Sequence, residues 1–378
     1  MPHETTISQH FATLPDPRVD RTKEHRLVDI ITIALCAVLC GADNWVDIET
    51  FGLAKEPWLR TFLSLPNGIP SHDTFGRVFA RLDPVAFQRC FLNWVKTVAA
   101  TTTGQVAIDG KTLRGSHDRT NGKAALHLVS AWAATNGLVL GQLAVDAKSN
   151  EITAIPALLE LLAVEGCTVT IDAMGCQTAI ADQIVRQGAD YVLALKANQG
   201  TMFDEVQATF ALAQANDGAD LVAASYDRLR TVEKNHGRLE IRRFWTITDP
   251  AILAYLNPTG AWSKLQSIGM VTAERRIGTD VTTETRYYLS SRATGAAAFG
   301  QAVRTHWEIE NRLHWVLDVT FHEDGHRTRT GHSAENFAVL RHLALNLLRR
   351  DTIFRGSIAT KRFKAALTEQ YLARLIAQ

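Results

Sequence analysis

Residues 106–110 read VAIDG, three apolar residues that lead into Asp109 and a glycine. Two further β-type runs follow, ALHLVSAWAAT at 125–135 and LVLGQLAVDA at 138–147. Short turns that contain glycine or asparagine separate the three runs, and such turns join neighbouring antiparallel strands. This part of the sequence therefore predicts an antiparallel meander of three strands.

The chain then alternates between helical and extended patterns. Helical runs at 152–166, 176–188 and 201–216 flank β-type runs at 168–175 (TVTIDAMG) and 190–198 (DYVLALKAN). Strands that alternate with helices predict parallel strands covered by helices. Three antiparallel strands followed by this alternation are the strand order of an RNase H-like core. The sequence thus predicts an α/β fold class with a mixed sheet and flanking helices.

Changes of pattern divide the chain into five segments. Residues 1–98 read as helices, which predicts an all-helical N-terminal domain, and the small polar run TVAATTTGQ at 97–105 predicts a linker. Residues 99–216 are the first part of the predicted core. The helical period disappears over 217–291, where the runs at 239–248, 265–277 and 283–291 read as extended segments, so a strand-rich insertion is expected before the last catalytic helix. The core resumes over 292–350, and 351–378 are expected to form a helical tail.

Composition is that of an ordinary globular protein. Hydrophobic residues make up 46% of the sequence and charged residues 21%, and the formal net charge is only +1. A net charge near zero leaves a nucleic-acid partner open, because phosphate binding needs only a local basic surface. The five cysteines contain no CxxC pair, which predicts neither disulfides nor a zinc knuckle.

Membrane association is not indicated. The first residues carry no signal-peptide pattern. The most apolar run, at 27–41, contains Asp29 and is shorter than the about 20 residues that span a bilayer. We therefore expect a cytoplasmic protein with no membrane partner.

Two aspartates stand at the ends of predicted strands. Asp109 follows VAI and Asp172 follows TVTI. The first and fourth strands are neighbours in an RNase H-like topology, so the two carboxylates should lie side by side, although Asp109 alone could be a turn residue before Gly110. Adjacent carboxylates repel each other, and a divalent ion relieves that repulsion. Carboxylate and water ligands suit Mg2+ or Mn2+ rather than zinc.

A third acid is expected from the helical segment HWEIENRLHW at 306–315. On a helix, Glu310 shares a face with His306 and His314, which lie four residues before and after it. Glu308 lies about 160° away around the helix, so only one of the two glutamates can face the sheet. We predict that Glu310 is the third acid, whereas the alternative is that this face is solvated.

Two sets of basic residues could contact phosphates near a cleavage site. They are Lys111 and Arg114, which follow Asp109, and His236, Arg238 and Arg242 in HGRLEIRR. Each set could equally be a solvated surface. Trp245 or Trp262 could stack on an extruded base, although a core or edge role is favoured for both.

Several segments together resemble the ISAs-type, or H-repeat-associated, transposases of bacterial insertion sequences. They are IDGKTLRGS (108–116), KSNEITAIP (148–156), IDAMGCQ (171–177), HGRLEIRR (236–243), HWEIENRLHWVLDVTFHED (306–324) and ENFAVLRHLALNLL (335–348). The run IPSHDTFGRVFARLDP at 69–84 resembles the helical domain that accompanies that family. Single fragments carry little information, but the ordered series extends from about residue 27 to residue 350.

The resemblance implies that Asp109, Asp172 and Glu310 form a DDE triad that binds two Mg2+ or Mn2+ ions. It implies a transposase that cuts DNA at the inverted-repeat ends of a transposon and transfers the freed 3′-OH into target DNA. The N-terminal domain would bind the transposon ends. The active form would be a homodimer on DNA, and the bound protein would be associated with the nucleoid.

The HWEIE segment is similar to the RWxIE stretch of related insertion-sequence transposases, whose longer signature runs Tyr, Arg, Glu, Lys. In this sequence Val303, His306 and Leu317 stand at the positions of the tyrosine, the arginine and the lysine. Other residues are therefore expected to make the phosphate contacts of those positions. The candidates are His306, Arg304, Arg327 and Arg329.

Two other functions remain open from the sequence. His306, Glu310 and His314 share a helical face and could form a zinc hydrolase site, although catalytic zinc needs a further ligand that the spacing does not supply clearly. The chain could also be a domesticated DNA-binding relic that keeps the fold without turnover. The presence of all three acids argues against that second alternative.

Overall fold

The computed structural model describes residues 6–99, 103–117, 122, 124–145, 150–222, 224–235 and 237–378. The N-terminal part, 6–99, contains a 3-10 turn at Asp20–Thr22 and, within the described residues, no strand. Its five helices are α1 (Thr6–Phe11), α2 (Leu27–Leu39), α3 (Trp45–Leu59), α4 (His72–Arg81) and α5 (Pro84–Val98).

Polar side chains define where three of these helices begin. The side chains of Asn44, Ser71 and Asp83 accept hydrogen bonds from the backbone amides of Asp47, Thr74 and Val85 at the starts of α3, α4 and α5. Such caps satisfy amides that have no partner within the helix. Helix α2, in contrast, is buried along almost its whole length, because nearly all of its residues are apolar.

A nine-stranded mixed sheet forms the rest of the framework. Its order is β3-β2-β1-β4-β5-β9-β8-β7-β6, in which only the β1–β4 and β4–β5 pairs are parallel. The strands are β1 (Gln105–Leu113), β2 (Leu126–Ala133), β3 (Leu138–Val145), β4 (Thr168–Ile171), β5 (Asp190–Leu195), β6 (Tyr226–Asn235), β7 (Arg238–Ile247), β8 (Ser267–Ile277) and β9 (Asp280–Ser290). The predicted mixed α/β class is confirmed.

The segment 217–291 extends the sheet rather than forming a separate layer. Strands β6 to β9 make an antiparallel ribbon, and β9 pairs with β5 of the first part of the sheet. The sequence pattern indicated three extended runs here but missed β6. Most described side chains of β6 are at least partly exposed, so no apolar alternation marks that strand.

The remaining helices pack either on the sheet or against other helices. A π-helical turn at Ile309–His314 interrupts the helical segment between α10 and α11, and 3-10 turns lie at Arg114–Ser116, Ala197–Gln199 and Glu323–Gly325. The helices are α6 (Glu151–Leu161), α7 (Thr178–Arg186), α8 (Gly200–Ala215), α9 (Pro250–Leu256), α10 (Ala296–His306), α11 (Trp315–Thr320), α12 (Ser333–Arg350), α13 (Ile358–Leu367) and α14 (Glu369–Ile376).

Helix α12 joins the N-terminal helices to the sheet. It packs against α2, α4 and α5 on one side and against β3 on the other. The side-chain amide of Asn336 donates hydrogen bonds to the carbonyl oxygens of Phe79 and Leu82 at the end of α4. The side chain of Asn346 pairs with both the amide and the carbonyl of Val139 in β3. One hydrophobic core therefore runs through both parts of the chain.

Within the described residues, no helix combines the length and the apolar character needed to span a bilayer.

Candidate active site

Strand register brings Asp109 and Asp172 together. The last parallel pair between β1 and β4 is Ile108 opposite Ile171, and each aspartate is the next residue along its strand direction. Strand β4 ends there, whereas β1 continues to Leu113 while paired with β2. Asp109 thus lies within β1, not at its end as the sequence pattern indicated. Asp109 directly follows Ile108, which is the last residue of β1 that pairs with both β2 and β4.

Glu310 reaches the same place from the π-helical turn. Helix α10 ends at His306, and the turn Ile309–His314 follows it. The expected regular helix through Glu310 is therefore wrong, because a π turn closes hydrogen bonds to the fifth residue and widens the coil. The predicted neighbour His314 is retained: its Nδ1 atom lies 3.6 Å from a carboxylate oxygen of Glu310 and 3.5 Å from one of Asp109.

All three acids line one cavity of about 160 Å³. Its walls come from the ends of β4 and β5, from β9 and from α10 with the turn that follows. Two cationic side chains, Lys196 and Arg286, line the same cavity, together with His306 and Trp307. Three carboxylates and two cations therefore face a space large enough for a small anionic group.

The electrostatic environment of Asp109 is unfavourable for its charged form. Burial, and then the charges of Glu310 and Asp172, raise the pKa of Asp109 to about 8. The pKa of Asp172 is also raised, first by burial and then by the charge of Glu151. The pKa of Glu310 is lowered, chiefly by its interaction with His314. Crowding of this kind is typical of carboxylates that share a cation.

Glu151 is a fourth acid of the site, and the sequence reasoning missed it as a site residue. It begins α6, and its carboxylate oxygen lies 2.6 Å from Nε2 of His127 in β2. A side chain at Gly110 would collide with Glu151, since a Cβ there would lie 2.1 Å from that oxygen. Its position after the cap residue Asn150 resembles an ordinary helix start, although it lies within KSNEITAIP.

His306 is held by a hydrogen-bond network that joins three elements. Gln105 of β1 donates to Thr170 of β4 and to the carbonyl oxygen of Ala302 in α10, at 3.0 and 2.8 Å. The Nδ1 atom of His306 lies 3.0 Å from the hydroxyl of Thr170. Burial lowers the pKa of His306 to about 4, so this imidazole is neutral near pH 7. It does not replace the positive charge of an arginine.

Comparison with known proteins identifies the family of this chain. Residues 101–347 match the family model described as the transposase DDE domain, and residues 8–95 match the model described as DDE_Tnp_1-associated. The chain belongs to the DDE transposase family. Its similarity to the H-repeat-associated transposases, expected from the sequence segments, is confirmed.

Full-length relatives support the same assignment. The transposase is 39% identical to the H repeat-associated putative transposase YhhI of Escherichia coli strain K12, over 98% of this chain and 97% of that protein. It is also 39% identical to the putative transposase YncI of Escherichia coli O157:H7, over 98% of this chain and 94% of that protein. Among solved structures, the piggyBac transposase synaptic complex with hairpin DNA aligns with 97% of this chain and 77% of its own, at 8% identity and a TM-score of 0.41.

The donor atoms of the transposase suit a divalent cation. Ligand atoms of Asp109, Glu310 and His314 all lie within 4.8 Å of one another. Two of the three are carboxylates, which favour Mg2+ or Mn2+. His306 is not part of this cluster among the described residues, and its Nδ1 atom lies 3.0 Å from the hydroxyl of Thr170, so the predicted zinc set of His306, Glu310 and His314 is not brought together. The geometry therefore gives the zinc hydrolase alternative no support.

Lys111 of the transposase points away from the cavity and into the protein. Its ammonium pairs with Asp318 and lies 2.6 Å from Glu323, and its side chain is 12% exposed. Burial opposes its charge, but the charge of Glu323 and the two hydrogen bonds raise its pKa overall. This position favours a structural role over a phosphate contact. Arg114, in contrast, is 84% exposed and lies 3.6 Å from Asp324.

The basic residues of the β6–β9 ribbon lie among acids. Arg238 and Arg242 both pair with Glu240, and Arg242 and Arg304 both pair with Glu233. These pairs neutralise much of the positive charge that the sequence pattern indicated. The predicted DNA contact His236 lies outside the described residues. Trp262 is buried, in agreement with a core role.

Arg327 and Arg329 line a groove of about 610 Å³ between the loop before α12 and helix α4. Two arginines of α4, Arg77 and Arg81, line the same groove. Neither was predicted from the sequence to contact DNA. They are four residues apart on the exposed face of α4, opposite the buried Phe75 and Phe79. We call this surface, formed by Arg77, Arg81, Arg327 and Arg329, the arginine groove.

Proposed function

We propose that this transposase cuts DNA at the inverted-repeat ends of its transposon and joins the freed 3′-OH to target DNA. The single observation that carries the proposal is the convergence of Asp109, Asp172 and Glu310 on one cavity, although they lie far apart in the sequence. Hydrolysis by a water molecule would free the 3′-OH. Attack of that 3′-OH on a target phosphodiester would then join the strands and release the target strand's own 3′ oxygen.

The catalytic core is proposed to be RNase H-like. The strand order β3-β2-β1-β4-β5 supports this, because β1 has an antiparallel neighbour, β2, on one side and a parallel neighbour, β4, on the other. The β6–β9 ribbon would then be an insertion between β5 and α10. The helical segment 6–99 would be an accessory domain, although it shares its core with the sheet through α12.

Asp109, Asp172 and Glu310 are the residues proposed to hold two Mg2+ or Mn2+ ions. When bound, two such ions activate the attacking oxygen and stabilise the leaving one. Asp109 is the carboxylate that both ions would share, because the charges of both Glu310 and Asp172 act on it. The raised pKa of Asp109 supports this role, since the carboxylate has too little positive charge around it when no cation is bound.

Cationic side chains of the cavity are proposed to hold the scissile phosphate. Lys196 is exposed and lies near Asp172. The charge of Lys196 lowers the pKa of Asp172, whereas burial raises it. Arg286 stacks on Trp307 with its guanidinium carbon 4.5 Å from the ring centroid, and it also donates two hydrogen bonds to the carboxylate of Glu284, which neutralises part of its charge. Both would contact phosphate oxygens, in place of the signature arginine and lysine that this chain lacks. Neither residue was selected from the sequence.

The arginine groove is proposed to bind duplex DNA of the transposon end. Arg77, Arg81 and Arg327 form no ion pair with any carboxylate of the described residues, so their charge is available to phosphates. The amide of His332 donates to the carbonyl of Ala80 at 3.0 Å, which holds the loop against α4. We also propose that the active form is a homodimer on DNA, because joining two ends needs two active sites. The DNA-bound protein would be associated with the nucleoid.

The proposal is tested with end-labelled DNA that carries the inverted repeats flanking the gene. The full chain is incubated with this DNA and with supercoiled target plasmid, in Mg2+ or Mn2+ and in a chelator. We expect cleavage that leaves a 3′-OH at the transposon end, followed by joined products, only with metal. Binding without any cleavage in either metal would favour the DNA-binding relic instead.

A further inference from the structure

His314 is a buried imidazole that lies near two acids of the site. Its side chain is 6% exposed, and its Nε2 atom has no hydrogen-bond partner among the described residues. Its Nδ1 atom faces the site, 3.5 Å from Asp109 and 3.6 Å from Glu310. Buried polar groups normally have partners, so an imidazole aimed at two acids from this distance needs an explanation.

Two other histidines around the site show the contrast. His306 lies 3.0 Å from the hydroxyl of Thr170, and His127 lies 2.6 Å from the carboxylate of Glu151. Each of these rings is oriented by a hydrogen bond to a neighbouring side chain. His314 instead stands apart from both acids by more than the usual length of a hydrogen bond, which is about 3 Å.

The spacing around His314 fits a cation between the three side chains. Ligand atoms of Asp109, Glu310 and His314 lie within 4.8 Å of one another. Donors at about 2.0–2.2 Å from one ion lie about 3 Å apart when adjacent and about 4 Å apart when opposite. Distances of 3.5 and 3.6 Å lie within that interval.

The π-helical turn fixes His314 in this position. Ile309 and Leu313 of the turn are fully buried and anchor it in the core. The turn therefore presents Glu310 and His314 toward Asp109 from a rigid support. Preorganised donors of this kind are what a metal site requires.

We infer that His314 is a nitrogen ligand of the metal ion shared by Asp109 and Glu310. The inference rests on the proposed metal-dependent function, and it adds that the two metal sites have different ligands. The ion beside Glu310 would have one imidazole ligand, whereas the ion beside Asp172 would have oxygen ligands. Mg2+ takes oxygen ligands, whereas first-row transition ions accept imidazole, so the site beside Glu310 prefers Mn2+ to Mg2+.

Pulsed electron paramagnetic resonance of the full-length protein loaded with Mn2+ tests this inference. We expect a coupling to one 14N nucleus, which changes to the 15N pattern when the protein is produced with 15N-histidine. His314→Gln should lose the coupling and weaken Mn2+ binding at one site by at least about 10-fold, because even loss of a side chain that only supports a ligand costs about 10–100-fold. His306→Gln, which changes the imidazole that lines the cavity, should keep the coupling.

The outcome does not depend on cleavage. If Mn2+ binds with the nitrogen coupling but no DNA is cut, the inference stands and the proposed function fails. A wild-type spectrum without nitrogen coupling, or a coupling that persists in His314→Gln, would overturn the inference even if DNA is cut. The isotope comparison uses wild-type protein, so it holds even if the variant folds poorly.

Discussion

Asp109 and Asp172 lie side by side because Ile108 and Ile171, the residues before them, face each other across two parallel strands. The register is set by the apolar runs of β1 and β4, whose residues from 106 to 108 and from 169 to 171 are all buried. Both faces of the two strands are buried, and a slip of one residue would exchange the side chains that pack on each face. The packing of the core therefore determines the spacing of the two carboxylates.

Metal-free protein should become less stable as the pH rises. An aspartate in an unfolded chain titrates near about pH 4, whereas the pKa of Asp109 in the folded chain is raised to about 8. Between these values the folded chain binds the extra proton, so its stability falls with increasing pH. Asp109→Asn should therefore raise the Tm without metal, by about 2–4 °C for each kcal/mol gained, and more at about pH 9 than at about pH 6.

Scanning calorimetry in a chelator measures this effect, with Glu308→Gln as the control. Glu308 pairs with Arg312 on the surface at 3.0 Å, and its variant should change the Tm little at either pH. A lower Tm for Asp109→Asn at both pH values would show that the charge of Asp109 does not destabilise the metal-free folded chain.

Lys111 should prove to be a stabilising residue. Lys111→Met keeps the aliphatic stem but removes the cation beside Glu323, which is buried and whose second ion-pair partner within the described residues is Arg341, 3.9 Å away. Leaving a buried charge without its partner costs about 3–5 kcal/mol. Urea denaturation should show a loss of that order, whereas the exposed Arg114→Ala should change stability by less than about 0.5 kcal/mol. If Lys111→Met leaves stability unchanged but weakens DNA binding, the result would contradict the stabilising role and support the phosphate contact that the sequence predicted for Lys111.

The arginine groove should contribute to the salt dependence of DNA binding. Double replacement of Arg77 and Arg81 by alanine should lower affinity for transposon-end DNA and reduce the slope of log K against log salt by about 2. Arg89→Ala, an exposed arginine of α5 outside the groove, is the matched control. Equal slopes for the double variant and the control, measured by fluorescence anisotropy, would exclude the groove from the binding surface.

This measurement needs the full chain. Helix α12 packs against α2, α4 and α5, and Asn336 bonds to the end of α4. A fragment that ends near residue 98 would expose this shared core to water. Its failure to bind DNA would therefore say little about the groove.

Much of the site could be predicted from sequence because its parts carry local signals. An apolar run that leads into an aspartate is visible twice, and the helical spacing of Glu310 and His314 placed both on one face. The π turn could not be predicted, since no residue pattern in IENRLH distinguishes backbone hydrogen bonds between residues i and i+5 from those between i and i+4.

Other features depend on contacts between distant segments. Glu151 begins a helix after the cap Asn150, and only the folded sheet brings it beside Asp109 and Asp172. Arg77 and Arg81 form a groove only in the folded chain, where the loop at 327–331 lies against α4. Conversely, Lys111 looked available from sequence because its two acidic partners are more than two hundred residues away.

The central claim is that Asp109, Asp172 and Glu310 act together as a metal-binding triad, and cleavage of labelled inverted-repeat DNA by single variants tests it most directly. Asp109→Asn, Asp172→Asn and Glu310→Gln each remove one negative charge while keeping the size of the side chain. We predict that each lowers the rate of strand cleavage by orders of magnitude while end binding stays nearly intact, because the metal ligands are incomplete. Glu308→Gln, whose side chain pairs with Arg312 instead, should cut at the wild-type rate. Wild-type cleavage by all three triad variants, or an inactive Glu308→Gln beside an active Glu310→Gln, would contradict the account.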